Sequence, residues 1–93
     1  MVLDLKTGKL KCNDSEISIN GKELNLLEIL LINKEKIVDR EILADKIWGF
    51  ESDAEYNNVE VYISFLRKKI NLLKSNVKIT TVRGIGYKLE VTK

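Results

Sequence analysis

The sequence predicts an α+β fold built from a small antiparallel sheet, three helices and a closing β-hairpin. Three observations predict it. Short apolar–polar alternations broken by turn residues occupy residues 2 to 19, and helical apolar periodicity dominates residues 20 to 71. Two β-rich runs then flank Gly84-Ile85-Gly86. With 93 residues and 44% hydrophobic content, the chain supports one core, so residues 1–93 are expected to form a single domain.

Thr7-Gly8 and Asn13-Asp14-Ser15 divide the leading segment into strands expected near 2 to 6, 9 to 12 and 16 to 19. Asn20 followed by Glu23 resembles a capping box, and Leu24, Leu27, Leu30 and Leu31 recur at helical spacing up to Asn33. This first helix is apolar on most sides and should be central. Asp39 is placed to cap a second helix, with Glu41 in its first turn. Ile42, Leu43, Ile47 and Trp48 are expected to form its buried side, and Gly49 to end it.

The third helix is expected from about 54 to 71. At about 100° per residue, Val59, Ile63, Leu66 and Ile70 share one narrow stripe, with Asn57, Asn58, Val61, Ser64, Phe65 and Lys68 opposite. The closing hairpin is expected over 78 to 91, with Thr81 and Arg83 sharing a face.

Charge is divided unevenly. Residues 1 to 66 hold eight Lys/Arg against thirteen Asp/Glu, a net −5, whereas residues 67 to 93 hold eight against Glu90 alone, a net +7. A polyanionic partner for the C-terminal third follows from that asymmetry, the alternative being a solvated basic tail. Thirteen of the sixteen basic residues are Lys, and the three Arg are Arg40, Arg67 and Arg83. In so Lys-biased a chain, Arg is expected where a flat, forked guanidinium does what an ammonium cannot.

Several function classes are excluded or disfavoured. The longest apolar run, Ile29 to Ile32, is far short of the roughly 20 residues of a membrane span. A lone cysteine, Cys12, and the absence of histidine leave no disulfide, no cysteine cluster and no usual zinc set, so no metal or cofactor is expected. Gly84-Ile85-Gly86 lacks the third glycine and the strand-to-helix setting of a dinucleotide site, and turn glycines explain it better. No carboxylate stands in a recognisable catalytic spacing, so the chain is not expected to be an enzyme. A reducing cytoplasm is the expected compartment.

Two helices, a linker, a third helix and a hairpin with Arg at its turn match the plan of a winged helix-turn-helix. In that geometry one helix enters the major groove, and a wing Arg is favoured in a narrow minor groove. The motifs Asn20-x-x-Glu23-Leu24, Val38-Asp39-Arg40-Glu41-x-Leu43 and Ile47-Trp48-Gly49 appear in order. Val59-Glu60-Val61-Tyr62-Ile63-x-x-Leu66-Arg67-Lys68-Lys69-Ile70 and Thr81-Val82-Arg83-Gly84-Ile85-Gly86-Tyr87 follow. Together they resemble the DNA-binding output domain of OmpR/PhoB-type response regulators from about Ile19 to Leu89.

The resemblance implies phosphate contacts from Trp48, Arg67 and Tyr87, a backbone contact at Thr81 and a minor-groove role for Arg83. It implies groove-facing positions at Asn57, Val61, Ser64 and Phe65. Known members often carry Arg where this chain has Asn57, Ser64 and Phe65. Readout is therefore expected to rest on the Asn57 amide and on apolar contact of Val61 and Phe65 with thymine methyls, favouring an A·T-leaning site. Lys68 and Lys69 are expected to join Arg67 on phosphates.

The acidic segment holding Gly49, Glu51, Asp53 and Glu55 resembles the family's RNA polymerase contact loop. A solvated linker explains its composition almost as well. The resemblance further implies promoter double-stranded DNA as partner, direct repeats about one helical turn apart and head-to-tail dimers on them. A phosphorylated receiver domain is expected outside these residues. The competing expectation is a protein-interaction winged helix, in which Val61 and Phe65 form a docking patch.

Overall fold

The computed structural model describes residues 2–19, 21–49 and 58–91, the side chains of Trp48 and Asn58 excepted. The chain opens with a three-stranded antiparallel sheet in the order β1 (Val2–Asp4), β2 (Lys9–Cys12), β3 (Ser15–Ser18). The first strand ends two residues before the expected boundary because Asp4 caps the turn. Its Oδ1 accepts from the amides of Lys6 and Thr7 at 3.0 and 3.2 Å. Leu10 on β2 is fully buried, and Leu3, Cys12 and Ile17 pack around it.

Helix α1 (Gly21–Ile32) buries Leu26, Leu27 and Leu30 completely, with Leu24 and Leu31 half-buried beside them. It contacts the two later helices and the C-terminal sheet, which makes it the central helix expected from its composition. Asn20 lies outside the described residues, so the capping box cannot be drawn from its side; Glu23, its expected partner, is only 2% exposed. Glu23 Oε1 accepts from Lys69 Nζ at 2.5 Å, tying the start of α1 to the far end of the third helix.

A strand that the sequence reading passed over, β4 (Ile37–Asp39), leads directly into α2 (Arg40–Trp48). Asp39 caps that helix as expected, its Oδ1 accepting from the Glu41 amide at 2.8 Å. Gly49 closes it at φ +67°, donating its amide to Asp45 O at 2.8 Å. The buried side differs from expectation. Leu43 and Ala44 are buried and Ile47 is half-buried, but Ile42 is 48% exposed. Residues 43, 44 and 47 share one face, and about 100° of rotation per residue turns Ile42 off it.

Helix α3 (Asn58–Leu72) runs one residue past its expected end, and the expected start, 54 to 57, lies outside the described residues. Strands β5 (Val77–Val82) and β6 (Gly86–Val91) form the closing hairpin. The second sheet has the order β4-β6-β5, so the hairpin is stapled to the entrance of α2 by Val38 opposite Tyr87 and Asp39 opposite Gly86. That crossing requires glycine. A Cβ on Gly86 would sit 2.0 Å from Val38 O and 2.8 Å from Arg40 N.

Candidate nucleic-acid interface

The third helix sorts its residues by angle. Val59, Ile63, Leu66 and Ile70 are all buried in the core, as their spacing predicted. On the opposite side Ser64 and Lys68 are exposed, and Val61 and Phe65 remain 45% and 42% exposed. The Phe65 ring meets Tyr62 edge-on, with centroids 5.8 Å apart and planes at 86°. A ridge of two apolar side chains with a hydroxyl and an ammonium beside it is therefore presented outward. Asn57, expected on the same ridge, lies outside the described residues.

At the wing, the Ile85 amide donates to Val82 O at 3.0 Å, closing a four-residue turn with Arg83 and Gly84 in the middle. Gly84 has φ +74°, the conformation that a type II turn requires at its third position and that glycine adopts without strain. Arg83 stands exposed at the tip. Among the described residues neither Arg83 nor Lys68 has a hydrogen-bonding or ion-pairing partner, so both cations face solvent.

The flank of α3 that faces the hairpin is polar and hydrogen-bonded to it. Arg67 Nε donates to Ile79 O at 3.0 Å, and its Nη2 donates to Thr81 Oγ1 at 2.7 Å. Two turns earlier, Glu60 Oε1 accepts from Arg40 Nη2 at 2.8 Å, and Glu60 Oε2 accepts from Arg40 Nε and from the Tyr87 hydroxyl, the latter at 3.0 Å. The Arg40 fork holds the Glu60 carboxyl below the usual glutamate range, with the Tyr87 hydroxyl adding to the effect. Burial, then the neighbouring carboxylate, push the Tyr87 hydroxyl up. Arg40, Glu60, Thr81, Arg83 and Tyr87 line an open cleft where the start of α2 meets the wing.

These contacts refine the roles drawn from sequence. Arg67 uses two of its five N–H donors in its bonds to Ile79 and Thr81. Thr81 accepts from Arg67, which leaves its own hydroxyl hydrogen to donate outward. Tyr87 is only 6% exposed and gives its one hydroxyl hydrogen to Glu60, so in this geometry it offers a phosphate no donor. Lys69 is likewise engaged inside the protein. It is half-buried on the α1 flank of the helix, paired with Glu23, and belongs to the scaffold.

Trp48 is the last residue of α2 and Gly49 its cap, whereas Glu51, Asp53 and Glu55 lie outside the described residues. Sequence reasoning missed Arg40 and Glu60. The scarcity of Arg was the available signal, because Arg40 makes the two-pronged carboxylate contact that Lys cannot make. Among the described residues no cluster of metal-ligating side chains forms, and no helix is long and apolar enough to cross a membrane.

Comparison with known proteins places this geometry. Residues 14–89 match the family model described as transcriptional regulatory protein, C terminal. The transcriptional regulatory protein DltR of Streptococcus agalactiae is 39% identical over 88 residues, covering 95% of this chain but only 39% of its own length. The C-terminal domain of the nisin resistance regulator NsrR, a lantibiotic response regulator, superposes with a TM-score of 0.79 at 34% identity, covering 95% of this chain and 90% of that one. The DNA-binding domain of Klebsiella pneumoniae RstA, solved in complex with the RstA box, gives a TM-score of 0.76 at 27% identity, covering 95% and 88%.

Proposed function

This chain belongs to the C-terminal DNA-binding domain family of OmpR/PhoB-type response regulators, and from that premise we propose how it divides the work of binding promoter DNA. Helix α3 enters the major groove and presents Val61, Ser64, Phe65 and, from its leading end, Asn57 to the bases. Arg83 enters the adjacent minor groove. Lys68, the spare donors of Arg67, the Thr81 hydroxyl and Trp48 bind phosphates, while Tyr87 supports them from behind.

The observation that carries this reading is the match of surfaces. The outer face of α3 and the Arg83 tip are both exposed, and Lys68 on that face and Arg83 at the tip both belong to the stretch 67 to 93 that carries net +7. An apolar ridge with no guanidinium favours thymine methyls over guanine edges, so the preferred site leans to A·T. Direct repeats about one helical turn apart, occupied head to tail, fit one helix per turn of the duplex. The acidic segment after Gly49 serves as a contact for RNA polymerase, and a receiver domain in the longer protein controls occupancy.

A duplex selected from a random library, titrated at two salt concentrations, tests the reading. Affinity falls steeply with salt, and Arg83→Ala weakens binding most at sites with an A·T-rich flank. Binding to no duplex at either salt concentration overturns it in favour of a protein-docking role for Val61 and Phe65.

A further inference from the structure

Glu60 stands on the DNA-facing half of the molecule, where an acid would be expected to repel a phosphate backbone. Its surroundings explain its presence. The Arg40 amide donates to Ile85 O at 3.0 Å, immediately after the Arg83-Gly84 turn. Two residues along β6, the Tyr87 hydroxyl donates to Glu60, and Glu60 in turn accepts both prongs of the Arg40 side chain. The result is a closed ring: Arg40 backbone, Ile85, Tyr87, Glu60, Arg40 side chain. One member comes from α2, one from α3 and two from the base of the wing.

We propose that Glu60 is a positioning residue for DNA binding, fixing the Arg83 turn at one height relative to the outer face of α3 so that major-groove and minor-groove contacts form together. Binding through a mobile arm costs ordering entropy that a pre-set arm avoids. The ring sets the arm at its base. Glu60 needs no contact with DNA for this, and its charge is already spent on Arg40. The inference rests on the proposal that Arg83 enters a groove.

A double-mutant cycle tests it, with affinity measured on one selected duplex at fixed salt and thermal unfolding followed in parallel. Arg83→Ala weakens wild-type binding, and Glu60→Ala or Tyr87→Phe weakens it by at least about threefold. In either ring variant Arg83→Ala then costs almost nothing more, because an unplaced wing contributes little. The loss from Lys68→Ala, on the helix itself, multiplies with both. Tyr87→Phe keeps the buried ring and serves if Glu60→Ala fails to fold. If the Arg83 and ring losses multiply as independently as those of Lys68, the positioning role is overturned while the groove assignment stands. If Arg83→Ala binds as wild type does, the groove assignment itself is overturned.

Discussion

Thr81 and Tyr87 oppose each other across the closing hairpin, and α3 grips both: Arg67 donates to Thr81, and Glu60 accepts from Tyr87. Helix α3 therefore carries the wing. Arg67 also reaches Ile79 O, so one side chain spans two positions of β5. Replacing Arg67 by Lys leaves a single charged prong for two acceptors and should cost about 1 kcal/mol of stability in chemical denaturation. Lys68→Ala should leave stability unchanged and reduce the slope of log affinity against log salt by about 0.9, one phosphate's share. A Lys68→Ala variant with an unaltered slope would remove Lys68 from the contact set.

The two wing glycines should respond differently to alanine. At Gly84 the added Cβ meets open space, and only the positive φ opposes it, a cost of about 1–2 kcal/mol. At Gly86 the Cβ would overlap Val38 O, so β4 must separate from β6 or the substitution must unfold the sheet. Gly86→Ala should exceed the roughly 1–3 kcal/mol typical of overpacking. Comparison of the two midpoints in urea checks this order, and equal midpoints would place the crossing elsewhere.

The Glu23–Lys69 pair joins α1 to α3 with the carboxylate almost wholly buried and the ammonium half-buried. Removing Lys69 leaves that carboxylate short of its cation. Because water still reaches the Lys69 side, Lys69→Ala should destabilise toward the lower end of the roughly 3–5 kcal/mol that breaking a buried pair costs. The salt slope of DNA binding should not change. Lys69→Met combined with Glu23→Leu should recover most of the loss, which thermal unfolding of the three variants measures.

Glu60 also makes the fold acid-sensitive. Its carboxyl titrates below the ordinary glutamate value because Arg40 and Tyr87 hydrogen-bond its charged form. A lowered native value contributes stability above the unfolded value of about 4.3 and loses it as pH falls through the native one. Between about pH 6 and pH 3 the melting temperature of wild type should fall further than that of Glu60→Gln. Asp4, Glu16 and Glu90 are also held low, so the Gln variant loses only part of the acid sensitivity. Parallel curves for the two proteins would show that Glu60 carries no share.

What could be read from sequence followed the length of the signal. Four turns of α3 repeat the buried stripe often enough for Val59, Ile63, Leu66 and Ile70 to declare a core face, and with it the exposed ridge of Val61 and Phe65. Three residues of β4 cannot show an alternation, and the strand exists because Gly86 lets its backbone approach. Glu60 finds its partners 20 and 27 positions away, a separation that no local pattern encodes. Lys69 adjoins Lys68 in sequence but pairs with Glu23 on α1. Its angle on the helix, about 100° from Lys68, already pointed it toward α1.

The proposed base-reading role of the outer face of α3 makes the sharpest prediction. Phe65 packs edge-on against Tyr62 and, in the proposed binding mode, meets the groove as an apolar surface. A thymine methyl against it removes about one methyl group from water, worth roughly 0.8 kcal/mol or close to a fourfold change in affinity. Uracil in place of thymine at that single position should therefore weaken wild-type binding about three- to fourfold. The same substitution should be silent in Phe65→Ala, while other thymines in the site keep their effect in both proteins. Tyr62→Ala should fall between them, because an unsupported Phe65 still reaches the methyl but must be ordered to do so. If wild type binds the uracil duplex as tightly as the thymine duplex at every position, the ridge does not read methyl groups.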